Sequence, residues 1–321
     1  MKKVLFATTA LVATAGVAAA DVTFGGYGRF GLYYQEDAAN ETTITSRFRL
    51  QIDATAESDA GVTFGARVRM QQDNDDPIDT GDVAADGFSP SGTFRGDRVS
   101  TGMNGVRFFA RAGGLEVGVG NIFGALESMP GQYPIDLGLT GLGYEYTAYN
   151  FRGAAYDSDE GGSAGLGGVE VIYTYGDFTV HASFDKTDSV AGDGNLDGDR
   201  AAIYGAYAWN GWTFALGLQD SDVDTDTEVT ASVSGDIGPA NVTLAYADNG
   251  TDGDHWVLAG RFDVGASTNI EAYVADADYF DEESYGIDFN HSLGGGTSLR
   301  GGIVKYSSGT TAADLGVRFN F

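Results

Sequence analysis

From Ser46 to Asp53 the chain reads SRFRLQID, with Phe48, Leu50 and Ile52 on one parity and Arg47, Arg49, Gln51 and Asp53 on the other. Successive side chains of an extended strand point to opposite faces, so this segment has one apolar and one charged face. The next run, GVTFGARVRM, sets Val62, Phe64, Val68 and Met70 against Arg67 and Arg69. VRFFARA sets Val106, Phe108 and Ala110 against Arg107, Phe109 and Arg111, and LEVGVGN sets Leu115, Val117 and Val119 against Glu116. Nearer the start, Val22, Phe24, Phe30, Leu32 and Tyr34 alternate with Thr23, Tyr27, Arg29, Tyr33 and Gln35. Eleven more runs follow, from VEVIYTY to AADLGVRFNF, giving sixteen predicted strands. TSLRGGIVKY is the one poor fit, because Val304 breaks its parity.

An apolar face on every strand, with no helical segment left to cover it, does not fit one ordinary core. It fits a closed transmembrane barrel that is apolar outside and polar inside. The connections agree. Short ones, such as Gly113-Gly114, Gly176-Asp177 and Asn210-Gly211, alternate with longer acidic ones, such as DNDDPIDTGDVAADG and DKTDSVAGDGNLDGD. One rim is therefore trim and the other is fringed with carboxylates, as in barrels with short periplasmic turns and longer external loops. Closure also removes the exposed strand edges that aggregate. Tyr34, Tyr175, Trp209, Trp212 and Trp256 near strand ends fit aromatic girdles at the two membrane surfaces.

Composition narrows the class. The 49 glycines, 17 Tyr and 19 Phe, with five Pro and no Cys among 321 residues, suit an exported all-β protein without disulfides. Residues 1–20 read as a secretory signal: Lys2 and Lys3, a short apolar run, then Ala18-Ala19-Ala20 before Asp21. The barrel domain is then 21–321. Without the leader, 16 basic residues face 46 acidic ones, a balance of −30 that excludes nucleic-acid binding through phosphates.

Against this acidity, Arg29, Arg47, Arg49, Arg67, Arg69, Arg107 and Arg111 share the inward parity of the first five strands. Hairpin register places Arg29 opposite Arg47 or Arg49, and Arg49 opposite Arg67 or Arg69. Like charges directly opposite cost about 0.2–1 kcal/mol each, so water or anions must compensate them. The longest connection, 121–168, is too long for a structureless loop in a compact domain. Its first half is expected to fold into the lumen and set Glu127, Asp136 and Glu145 across from the arginines. The expected result is a water-filled throat with charge of opposite sign on its two sides.

Over the whole mature chain the sequence resembles the general diffusion porins of Gram-negative outer membranes, of the purple non-sulfur bacterial type. GYGRFGLYYQED, SRFRLQI, GVTFGARVRMQ, VGVGN before the long loop and the terminal DLGVRFNF carry the likeness. The resemblance implies a sixteen-stranded homotrimeric barrel whose third external loop forms the constriction, passing ions and small hydrophilic solutes. It also implies that Phe321, Phe319 and Val317 are read by the barrel assembly machinery, and that the partners are the lipid bilayer and lipopolysaccharide. A substrate-specific channel, for sugars or another small solute, is the alternative, with Tyr27 and Tyr33 facing inward. A barrel-borne hydrolase is the remote one.

Other motifs carry less. Gly26-x-Gly28-x-x-Gly31 matches a dinucleotide fingerprint but lies inside an alternating strand with no helix after it. Gly161-x-Ser163-x-Gly165 matches a nucleophile elbow, but the run DEGGSAGLGG reads as loop and not as a strand-to-helix turn, and His181, His255 and His291 fall on separate predicted strands. Asp193-x-Asn195-x-Asp197 starts like a calcium loop whose twelfth position is Tyr204 instead of Glu. No cofactor is expected, beyond weak Ca2+ binding along the acidic loops.

Overall fold

In the computed structural model, residues 20–73, 102–103, 105–150, 167–187, 198–222 and 226–321 are described. The leader up to residue 19, the candidate elbow and residues 193–197 of the calcium-like loop lie outside them. The strands are β1 (Asp21–Gln35), β2 (Thr42–Glu57), β3 (Thr63–Asp73), β4 (Gly102–Met103), β5 (Arg107–Ala112), β6 (Leu115–Asn121), β7 (Gly167–Tyr175) and β8 (Phe178–Thr187). There follow β9 (Gly198–Trp209), β10 (Trp212–Ser221), β11 (Glu228–Ile237), β12 (Ala240–Asp248), β13 (Asp254–Asp263), β14 (Thr268–Ala277), β15 (Ser284–Gly294), β16 (Thr297–Lys305) and β17 (Thr311–Asn320). β4 and β5 both pair with β3 and are two lengths of one strand, so the sixteen expected strands are all present.

Every strand pairs antiparallel with its sequence neighbours. β1 also pairs with β17, in register from Tyr27↔Asn320 to Gln35↔Ala312, which closes the sheet. Phe321 finishes the seam by exchanging backbone hydrogen bonds with Gly26 at 3.0 and 3.1 Å. Turn chemistry suits the tight rim. Asn210 and Gly211 both have positive φ, 54° and 82°, the geometry that a two-residue hairpin requires.

Burial runs opposite to that of a soluble protein. Phe24, Phe30, Leu216, Leu258 and Leu315 are exposed on the outside, while the residues between them face inward. Such a wall is stable only against hydrocarbon. The packed core lies inside instead, where Leu126, Leu137, Leu142, Tyr146 and Tyr149 of the long loop meet Ala206, Ala215, Ala245, Ala259, Ala275 and Ala312 of the wall. Val304 explains its broken parity here. It faces inward and packs in this core, while Ile303 faces out.

A candidate site in the barrel throat

The inner wall has two halves. From β9 to β17 its inward positions are rich in alanine and glycine, and most of residues 126–150 lie against this half. A Cβ at Gly217 would strike Leu126 and Met129, one at Gly286 would strike Leu137, and one at Gly316 would strike Leu139. Small residues thus make the bed in which the loop sits.

Polar anchors fix the loop's position. Ala125 N donates to Ser183 Oγ at 2.9 Å, and Gln132 Nε2 to Thr230 Oγ1 at 2.8 Å. Tyr149 donates its hydroxyl proton to Glu228 at 2.6 Å, and Asn150 N donates to Asn249 Oδ1 at 3.0 Å. Three wall carboxylates hold the stretch 136–140. Glu271 accepts from Asp136 N at 3.1 Å, and Asp288 from Gly138 N at 2.6 Å. Asp314 accepts from Leu139 N and Thr140 N at 2.9 and 2.8 Å. Hydrogen bonds to a charged acceptor contribute about 1.5–3 kcal/mol each, so this stretch is tightly held.

Of the expected acids, Asp136 meets arginine, but not the arginines expected. Its Oδ2 lies 2.6 Å from Arg300 and 2.9 Å from Arg318. Glu127 accepts the Tyr133 hydroxyl at 2.9 Å. Glu145 is placed elsewhere than expected. It accepts from Ser307 N and Oγ at 3.0 and 2.8 Å, tying the loop to the β16–β17 connection. Its tight backbone path explains this, since Gly141, Leu142, Gly143 and Tyr144 all have positive φ and turn the chain just before it.

The arginines divide by role. Arg29 lies opposite both Arg47 and Arg318, and is buried under the loop, donating to Leu139 O at 2.9 Å. Arg47 reaches the Tyr27 hydroxyl at 3.5 Å. The β2–β3 register differs from expectation: Arg49 faces Gln71, Gln51 faces Arg69 and Asp53 faces Arg67. The cause is a three-residue turn, Asp59 to Gly61, with Gly61 at φ 76°, which centres the hairpin on Ala60. Each arginine thereby gains a polar neighbour: Arg49 Nε to Gln71 at 2.5 Å, Arg69 Nε to Gln51 at 3.3 Å and Arg67 Nε to Asp53 at 2.6 Å. Arg107 lies between Glu116 and Glu170, at 2.6 and 2.5 Å. Arg111 stands beside the short-turn rim with its guanidinium 5.3 Å from the Phe109 ring centre.

Aromatic rings share this lumen face. Arg318 and Arg49 lie over the Tyr27 ring at 4.1 and 5.4 Å, and Arg69 over Phe123 at 4.7 Å. Tyr133 and Tyr144 stand edge to face, 6.4 Å apart. The surrounding walls crowd the Tyr144 hydroxyl and push its pKa up; Arg47 draws it down, Asp136 up, Arg29 down and Tyr27 up. All four groups are therefore within electrostatic reach of that hydroxyl.

The three histidines are apart, each with its own partner: His181 with Glu170, His255 with Tyr279 and His291 with Thr268. Among the described residues no three of His, Cys, Asp and Glu converge as metal ligands.

A closed barrel, lipid-facing outside and narrowed inside by an anchored loop, defines a transmembrane channel protein. Residues 7–311 match the Gram-negative porin family. The chain is 30% identical to the porin of Fuscovulum blasticum over 317 residues, 94% of this chain and all of that one. It is 27% identical to the porin of Rhodobacter capsulatus over 340 residues, again 94% of this chain and all of the relative. A solved mutant of the Rh. blastica porin superposes with a TM-score of 0.77 at 26% identity, covering 94% of this chain and all of that one. The chain belongs to the Gram-negative porin family, and it is a general diffusion porin of the outer membrane.

Proposed function

We propose that permeation is controlled at the level of Asp136, where the loop's acidic and tyrosine-rich face meets an arginine wall of Arg47, Arg49, Arg300 and Arg318. The observation that carries this is the double contact of Asp136 with Arg300 and Arg318 inside the lumen. Such a throat holds a field directed across the flow. Small ions and dipolar solutes pass and are oriented by it. Apolar solutes are slowed, because their passage displaces water ordered by fixed charges. Arginine suits the role because its charge is permanent and its fork is stiff.

The test is planar-bilayer recording in graded salt on wild type and an Asp136→Asn, Glu127→Gln double variant. The reading expects a shift of ion selectivity towards anions. Unchanged conductance and selectivity would overturn it.

The same reading includes three copies per assembly, export through the leader 1–20 and delivery by the barrel assembly machinery. Supporting the last, Phe319 and Phe321 end the closing strand at the tight rim, with the Phe321 ring stacked 5.6 Å from Phe48. Deleting Phe321 is expected to reduce the amount of folded protein reaching the outer membrane. Lipopolysaccharide and weak Ca2+ binding belong to the acidic outer rim. Calorimetric titration of folded protein with calcium, giving no heat, would remove the metal from this picture.

A further inference from the structure

Resting on that reading of the throat, we infer that its aromatic face is a weak binding site for neutral, polyhydroxylated ring solutes, of which a hexose is the simplest. Tyr133 and Tyr144 are 45% and 44% exposed inside the lumen, although neighbouring Tyr146 and Tyr149 are fully buried and do the packing. Two rings half open to the lumen leave apolar area that a solute ring can cover, at about 25 cal/mol per Å². Tyr144 is also held at φ 59°, a left-handed conformation that costs a non-glycine residue about 1–3 kcal/mol. Its ring rests where a Cβ on Gly141 would be, and the Tyr133 hydroxyl is fixed by Glu127 at 2.9 Å. Both rings are thus rigidly presented to the channel.

Local charge selects among ligands. Two perpendicular aromatic rings beside carboxylates would suit a cation. Here, however, Asp136 is already engaged by Arg300 and Arg318, and Arg47 acts on the Tyr144 hydroxyl. A cation would meet these guanidinium groups. A free anion would meet Glu127 and Asp136. A neutral ring with several hydroxyls avoids both penalties. Its C–H face lies on the electron-rich face of a tyrosine ring, and its hydroxyls donate to Glu127 and accept from Arg47. A few polar groups placed around apolar walls are the usual composition of a small-molecule site.

The experiment records ionic current through the full-length mature porin in planar bilayers while glucose is added. The variants are Tyr133→Ala and Tyr144→Gly, glycine being chosen because it accepts the backbone conformation at 144. Wild type is expected to show a saturable fall in current with added noise, and both variants a linear fall set by viscosity alone. Tyr133→Phe, which keeps the ring, should keep saturation. A linear response in wild type, or a stronger saturable block by choline or gluconate than by glucose, would overturn the inference. Ion selectivity of the Asp136→Asn, Glu127→Gln variant, recorded in the same bilayers, separates the two readings: a shifted selectivity with a linear glucose response in wild type fails the sugar site alone, and an unchanged selectivity fails the throat reading.

Discussion

Asp314 on the last strand accepts both the backbone N–H and the hydroxyl of Thr140, each at 2.8 Å, across 174 positions of sequence. The same carboxylate takes Leu139 N and, on its own sheet, Gly302 N at 3.0 Å. One wall residue therefore clamps the turn that carries the loop past the throat. Because Asp314 is buried, its partners would be left without a charged acceptor if it were removed.

Asp314→Ala should free the loop and leave the barrel closed. Each lost charge-assisted bond costs about 1.5–3 kcal/mol, so the anchor loses several kcal/mol in total. The measurements are single-channel noise, which should rise, and protease cleavage within 122–150, which should become faster. β-sheet content by circular dichroism should not change. Asp314→Asn retains one acceptor oxygen and should fall between the two.

How much of this was legible beforehand depends on periodicity. The alternation of Phe48, Leu50 and Ile52 with Arg47, Arg49 and Gln51 repeats in strand after strand, and it is dictated by a lipid face and a water face. Position along a strand is set by turn geometry, and one left-handed residue, Gly61, moved Arg49 from Arg67 or Arg69 to Gln71. Arg318 alternates with Val317 and Phe319, so its inward parity is readable in the sequence, whereas Arg300 lies in TSLRGGIVKY, the one strand whose parity Val304 blurs. The loop's seat was also readable, in the inward Ala215, Ala245, Ala247, Ala259 and Ala275, a run of small residues that only something packed on them explains. The path of the loop itself was not. It has no period, and Glu145 is placed by a series of left-handed residues and by Ser307, far away in sequence.

Two ion pairs of similar length should differ in energetic weight. Arg67 and Asp53 meet at 2.6 Å, but their side chains are 39% and 22% exposed to the water-filled lumen. Asp53→Asn should cost at most about 1 kcal/mol. Glu170 is 2% exposed and holds both Arg107 and His181. Glu170→Ala leaves the Arg107 guanidinium with Glu116 alone and takes the partner from His181, so it should cost more than Asp53→Asn, about 1.5–3 kcal/mol. Urea unfolding in detergent or lipid separates the two variants.

Glu36, in the β1–β2 connection, accepts from Thr311 N at 3.0 Å across the closing seam. Hydrogen bonds from the Thr311 side chain and backbone are the main reason its pKa lies below the ordinary carboxylate value. A carboxylate with a lowered folded pKa stabilises the fold above its unfolded pKa, and that contribution disappears as pH falls through the folded value. The protection factor of the Thr311 amide, its exchange rate relative to an unstructured peptide at the same pH, should therefore fall in acid. Glu36→Gln, which has nothing to titrate, should remove this pH dependence while leaving the rest of the barrel unaffected.

The outer face makes the strictest demand. Leu258 is exposed midway along β13, between Leu244 and Val274 on the neighbouring strands. Hydrocarbon gives its side chain a favourable environment that water would not. Leu258→Arg should destabilise the inserted barrel by about 2–4 kcal/mol, the range for a cation on the lipid face at mid-depth, falling towards zero for substitutions near the rims. Equilibrium unfolding from lipid vesicles gives the number directly. A comparable loss from Leu293→Arg, beside the tight rim, would mean that depth in the bilayer does not govern this surface, and that the outward apolar face serves some end other than contact with lipid.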